Sequence, residues 1–241
     1  MLGLVLTFGF TVNVSAQDAD TFWDRANTYY ENENYDAAIT AYTQVIRLAP
    51  NFGNAYCLRG QCYFMKENYD MTIVDLTEAI RQKVDGPLEI MVYLYRGIAY
   101  REKGNLRSSI SDLTQALKLD SNCFEAYYHR GLAYDIMGNF DGAIADLSQL
   151  IKQYPNDSGL YNFRGQNYGK KGDQDRALAD FTQSIRLNPN VSETYVNRAL
   201  TYAKKGNLNL EIADYEMALK IDPNNSQARR NLQVAREERG Y

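Results

Sequence analysis

The stretch "YRGIAYREKGN", Tyr95 to Asn105, decides the fold because its first part is written again along the chain. It returns as "LRGQCY" from Leu58, "HRGLAY" from His129, "FRGQNY" from Phe163 and "NRALTY" from Asn197, with "DRANTY" from Asp24 as an earlier copy. The small residue after each Arg is Ala26, Gly60, Gly97, Gly131, Gly165 or Ala199, and the spacings are 34, 37, 34, 34 and 34 residues. One insertion of three residues inside "KVDGPLEI" accounts for the exception. A fixed period of this length is the mark of a stacked repeat, in which one supersecondary unit recurs.

Within each copy an aromatic stands three residues before the Arg: Phe22, Tyr56, Tyr93, Tyr127, Tyr161 and Tyr195. A tyrosine stands four residues after it: Tyr29, Tyr63, Tyr100, Tyr134, Tyr168 and Tyr202. Offsets of three and four put these residues on one face of a helix, and the small residue between them lets a neighbouring helix approach. Punctuation follows. Gly104-Asn105, Gly138-Asn139, Gly172-Asp173 and Gly206-Asn207 read as a helix-ending glycine and a polar start for a second helix. The first two copies write Glu33-Asn34 and Glu67-Asn68 instead. A second apolar-periodic stretch then runs to Pro50, Pro155, Pro189 or Pro223, with Val84 and Ser121 at that place in the other two.

These six in-phase helix-turn-helix copies resemble the tetratricopeptide repeat (TPR) family. The resemblance implies an all-α, right-handed superhelical solenoid of six repeats with a C-terminal capping helix. Repeats would start near 19, 53, 90, 124, 158 and 192 in a domain covering 17–241, and "SQARRNLQVAREERGY", from Ser226, would be the cap. The family's Trp slot holds Phe or Tyr here. Its small slot in the second helix matches Ala38, Thr72, Ser109, Ala143 and Ala177 but is Glu211 in the sixth repeat, a charge where packing is normally close.

The recurring Arg has a partner of the same period. Asp75, Asp112, Asp146, Asp180 and Asp214 each follow Arg59, Arg96, Arg130, Arg164 and Arg198 by 16 residues, and the first repeat has Ala41 in that place. The pattern predicts an ion pair inside each of five repeats. A catalytic Arg is needed once, so the repetition points to the scaffold.

Function should then sit where the copies differ. The resemblance implies that first helices line a concave groove. Carried onto this chain, the groove candidates are Trp23, Asn27 and Tyr30, then Cys57, Gln61 and Phe64, then Leu94, Ile98 and Arg101. Tyr128, His129, Leu132 and Asp135 follow in the fourth repeat, and Asn162, Gln166, Val196, Asn197 and Leu200 in the last two. The apolar and aromatic stripe through repeats two to four suits a peptide with hydrophobic anchors. One subgroup of the family grips a C-terminal carboxylate with a Lys, Asn and Arg set. Its slots hold Trp23, Met91 and Tyr95 here, so that clamp is absent.

Other chemistry finds no support. Three cysteines, Cys57, Cys62 and Cys123, read as free thiols. The single histidine, His129, cannot by itself make a metal site or a triad. No glycine-rich phosphate loop occurs, so no cofactor is expected and the chain reads as a non-enzyme. A net charge of −4 argues against nucleic acid as a partner. Asn156-Asp157-Ser158, Asn190-Val191-Ser192 and Asn224-Asn225-Ser226 match glycosylation sequons at turns.

The N-terminus differs from the rest. Met1 to Gln17 is uncharged and then turns polar, too short for a membrane span but fitting a secretory signal cleaved after Val14-Ser15-Ala16. No Lys or Arg precedes Arg25, so the usual positive start is missing. The expectation is a signal peptide at 1–16 and a periplasmic or secreted scaffold with no stable membrane anchor after cleavage. It would bind a protein or peptide partner in its groove and assist assembly of a complex, with self-association open. The alternatives are a glycan or cell-wall binder using groove aromatics and a cytoplasmic adaptor.

Overall fold

The computed structural model describes residues 11–84 and 86–240, and every regular element among them is a helix. The first ten residues of the expected signal peptide lie outside the described residues, and the remainder falls in the first helix. The helices are α1 (Thr11–Glu31), α2 (Tyr35–Leu48), α3 (Gly53–Met65), α4 (Tyr69–Gln82), α5 (Pro87–Glu102), α6 (Leu106–Leu119) and α7 (Phe124–Ile136). They continue as α8 (Phe140–Gln153), α9 (Ser158–Lys171), α10 (Gln174–Leu187), α11 (Ser192–Lys204), α12 (Leu208–Ile221) and α13 (Ser226–Arg239). Odd-numbered helices up to α11 are the first helices of the repeats. The chain forms two compact bodies, one through Ala126 and one from Tyr127, each described below by itself.

The hairpin turns follow from the sequence. Each second helix is capped by the side chain of Asn34, Asn68, Asn105, Asn139, Asp173 or Asn207, which accepts a hydrogen bond from the backbone N–H three residues on. The same cap residue donates its own N–H back to the carbonyl of the repeated tyrosine five residues earlier, as in Asn105 to Tyr100 at 2.8 Å and Asn207 to Tyr202 at 2.9 Å. That closing bond needs a left-handed residue before the cap. Glycine supplies it at Gly104, Gly138, Gly172 and Gly206, whereas Glu33 and Glu67 adopt φ of 57°.

The expected ion pairs are present. Arg59, Arg96, Arg130, Arg164 and Arg198 each donate from Nε and Nη2 to both carboxylate oxygens of Asp75, Asp112, Asp146, Asp180 and Asp214, at 2.7–2.8 Å. Each guanidinium also lies 5.7–6.0 Å from the ring of the aromatic three residues before it. A further bond reaches the preceding repeat: Nη1 of Arg59, Arg96, Arg164 and Arg198 donates to the hydroxyl of Thr43, Thr77, Ser148 and Thr182. The arginine therefore braces its own hairpin and ties it to its neighbour. The small residue beside it has a steric reason as well. A Cβ on Gly60 would lie 2.8 Å from Leu76, and one on Gly165 would lie 2.8 Å from the Phe181 ring.

In the N-terminal body Ala26, Ala38, Ala41, Tyr42 and Cys62 make one core cluster, and Cys57, Leu76, Ala79 and Val92 make another. In the C-terminal body α13 lays Ala228, Leu232 and Ala235 against Tyr215 and Ala218 and covers the last hairpin. Glu211 is buried in that hairpin, and α11 still packs along α12.

Candidate functional site

In the N-terminal body α3 lies beside α5, and their faces, with that of α1, are lined by aromatic rings. Trp23 meets the edges of Tyr42 and Phe52, with centroids 5.7 and 4.9 Å away. Tyr30 stands against Tyr35 across its hairpin, and Phe64 repeats the arrangement with Tyr69 one repeat later. Phe64 also packs on Tyr95 at 4.8 Å. Tyr42 is completely buried, and the other rings are half-buried. Asn27 is tied down by the Tyr42 hydroxyl, which donates to its Oδ1 at 2.7 Å. Leu94 is half-buried, and the Arg101 guanidinium is held by Glu102 at 2.6 Å.

Three residues expected on this face are packed inside instead. Cys57 is completely buried against Leu76, Ala79 and Val92. Burial pushes its thiol up to about 12, so it stays protonated. Gln61 is 1% exposed and accepts from the Tyr30 hydroxyl at 2.9 Å. That phenol is itself pushed up to about 12 by burial and remains a neutral donor. Ile98 is buried as well, as is Val196 in the C-terminal body. The physical reason is common to all four: first helices pack on each other as well as on second helices, so the stripe left open is narrower than the helical period suggests.

The C-terminal body is different. Tyr128 stands edge-on to His129 and to Phe163, at 5.6 and 6.1 Å, and Leu132 is half-buried. Beyond them the lining is polar. Asn197 donates to Oδ1 of Asn162 at 3.2 Å, and Gln166 donates to Glu193 at 3.4 Å. Asp135 accepts from Lys170 Nζ through both oxygens, at 2.6 and 2.7 Å. A recess of about 230 Å3 opens between α9 and α11, with Gln166, Gly169, Glu193, Asn197, Leu200 and Lys204 on its walls. Gly169, Glu193 and Lys204 were not among the sequence candidates. Laying the copies in register would have found Gly169 and Lys204, which stand 34 residues after Asp135 and Lys170.

Among the described residues no three His, Cys, Asp or Glu side chains are grouped to hold a metal ion. No described helix is long and apolar enough to cross a membrane. The surface can bind through aromatic contact, amide hydrogen bonds and a few charges.

A TPR repeat profile matches residues 13–67, and a tetratricopeptide repeat profile matches residues 94–158 and 164–226, more than half of the chain. The chain belongs to the tetratricopeptide repeat family. Among solved structures, this TPR chain is similar to the C-terminal part of a TPR repeat-containing protein from Cytophaga hutchinsonii. The TM-score is 0.75 at 22% identity, over 88% of this chain and 84% of that one. It is similar to the MamA protein, with a TM-score of 0.67 at 24% identity over 72% of this chain and 93% of that one. MamA from Desulfovibrio magneticus RS-1 matches with a TM-score of 0.66 at 16% identity, over 72% and 97%. At these identities the likeness is one of fold. No curated protein matches the sequence. Membership of the TPR family makes the chain, in general terms, a protein-interaction scaffold, and its fold is one that is typically non-catalytic.

Proposed function

We propose that the protein holds an extended or helical protein segment on the face of its first helices, outside the cytoplasm, and so helps assemble a complex. The observation that carries this reading is the divergence of that face within a uniform scaffold. The Arg, Asp and Tyr positions recur with nearly the same geometry, whereas the first-helix face changes from Trp23, Tyr30, Phe64 and Leu94 to Asn162, Gln166 and Asn197. Residues freed from the repeat pattern are those available for recognition. The geometry favours a protein over a glycan: Trp23, Tyr30, Phe64 and Tyr128 already meet neighbouring rings edge-on or tilted, which leaves few open flat faces for sugar stacking. The uncharged stretch from Met1 to Gln17 supports export.

Photo-crosslinking in the native host tests the surface. A crosslinking side chain at Leu94 or Phe64 is expected to trap one discrete partner, and the same group at exposed Val74 on α4 is not. Crosslinks from Val74 alone would move the binding surface to the second helices. The intact mass from the same cells tests the location: a chain beginning at Gln17 in an extracytoplasmic fraction is expected, and one beginning at Met1 in the cytosol would overturn it.

A further inference from the structure

Asp135 and Lys170 form a close pair that the next repeat leaves half-made. Lys170 Nζ reaches both oxygens of Asp135 at 2.6 and 2.7 Å, and the carboxylate is mostly covered, with 15% of its side chain exposed. Thirty-four residues on, Lys204 stands in the register of Lys170, and Gly169 stands in the register of Asp135. The cation is repeated and the acid is replaced by a hydrogen atom. Gly169 is not among the glycines with positive φ, so backbone geometry does not demand it. A Cβ built there would meet only the Cβ of Ala177, at 3.8 Å, so the place of the missing side chain is open. It is part of the recess between α9 and α11, and Lys204 is on the recess wall. Among the described residues Lys204 makes no ion pair, while its neighbour Lys205 is engaged by Asp175 at 2.5 Å.

We infer that the Gly169–Lys204 recess receives a carboxylate side chain from an extended segment of a partner protein. The incoming Asp or Glu does for Lys204 what Asp135 does for Lys170. The rest of the wall sets where the acid can lie. Glu193, Asn197, Leu200 and Lys204 recur on one stripe of α11, and eleven residues of helix put Glu193 about 16 Å from Lys204. Glu193 repels an anion from its end, so the acidic residue is registered at the Lys204 end. Asn197 and Gln166 between them offer amide groups to the backbone of the segment. An extended chain crosses that distance in about five residues. This inference rests on the reading that the first-helix face receives a protein segment, and it adds the chemistry of one anchor. The position is the end of the first helix of the sixth repeat, apart from the slots of Trp23, Met91 and Tyr95.

The test uses a capped nonapeptide of alternating Ala and Ser with one central Glu, its Gln counterpart, and the full chain followed by NMR. Capping removes the terminal carboxylate, so a response reports the side chain. The Glu peptide is expected to shift the Gly169 amide and the Lys204 side chain saturably. The Gln peptide should bind about fivefold more weakly, the scale of an exposed ion pair, and the difference should shrink in high salt. Gly169→Asp should supply the acid internally and abolish the Lys204 response with helicity unchanged. Lys204→Gln should make the two peptides equivalent. Equal binding of the two peptides to the natural chain, no shift at Gly169 and Lys204 with either, or an undiminished response in Gly169→Asp overturns the inference. Shifts confined to Phe64 and Leu94 would sink it while leaving the wider reading of the surface standing. Silence along every first helix would count against both.

Discussion

The first-helix faces of the two bodies are built on the same hairpin and have little else in common. Between α1 and α5 the face is a run of rings in mutual contact, with Phe64 against both Tyr69 and Tyr95. Between α9 and α11 it is a run of amides and charges around an open recess. Beneath both faces the Arg–Asp pair recurs, with Arg96–Asp112 and Arg164–Asp180 nearly superimposable in their distances. The repeat therefore separates two tasks by position. Residues that hold hairpin to hairpin are kept in register, and residues one or two places away on the same helix are released to differ.

That separation can be broken at its strongest point. Asp112 and Asp180 are each 6% exposed, so removing either arginine leaves a buried carboxylate without its partner. Arg96→Ala and Arg164→Ala are each expected to cost about 3–5 kcal/mol in urea unfolding, since breaking one side of a buried pair is far worse than lacking the pair. Equal losses would show that the brace is the same device under both faces, and a loss in only one would show that it serves that face. Arg25 is the internal control. Its repeat has Ala41 where the Asp would be, Arg25 is exposed, and its ring contact is with Phe22. Arg25→Ala should cost less than about 1 kcal/mol.

The scaffold was legible because periodicity is a property of sequence. The Arg–Asp offset of 16, the Asn caps and the small slots were all visible as residues in register. Missing were the terms that depend on which neighbour a side chain meets. The link from Arg164 to Ser148 crosses between repeats, so the hydroxyl that recurs at Thr43, Thr77, Ser148 and Thr182 shows its partner only once two copies are stacked. Cys57, Gln61 and Ile98 sit at positions that helical geometry places toward the open side, yet packing between first helices closes over them. Gly169 was silent for the opposite reason: its contribution is the side chain it lacks, which shows only when Asp135 is laid over it.

A smaller effect separates the last repeat from the first. Ala38 occupies the small slot of α2, and Glu211 occupies the same slot of α12, where it is 8% exposed. Burial, reinforced by Glu238 on α13, raises the Glu211 carboxyl above its usual range. A raised folded value means that the folded chain binds this proton more tightly than the unfolded chain. The penalty is therefore absent below the unfolded Glu value of about 4.3 and develops as pH rises through the folded one. Glu211→Ala is expected to stabilise the protein by about 1 kcal/mol at pH 7 and to lose that advantage near pH 4. Thermal melts at the two pH values check it, and an advantage independent of pH would mean that shape rather than charge is at fault.

The smallest effect tests the turns. The N-terminal body closes its first two hairpins on Glu33 and Glu67, and the C-terminal body closes all three of its own on Gly138, Gly172 and Gly206. The closing bonds are alike, with Asn34 reaching Tyr29 and Asn68 reaching Tyr63, both at 2.9 Å. The hydrogen-bonded product is therefore the same, and the difference lies in backbone strain. A side chain in the left-handed region costs about 1–2 kcal/mol, offset by the extra chain entropy that glycine loses on folding. Glu33→Gly and Glu67→Gly should each stabilise the protein by roughly 0.5 kcal/mol, and Gly172→Glu should reverse the sign by a similar amount. The two changes in the N-terminal body should add, because their turns belong to different hairpins and share no bond. If the glutamates prove neutral or favourable, their side chains must contribute something at the hairpin corner, beside Tyr35 and Tyr69, and the aromatic face of the N-terminal body would extend to its turns.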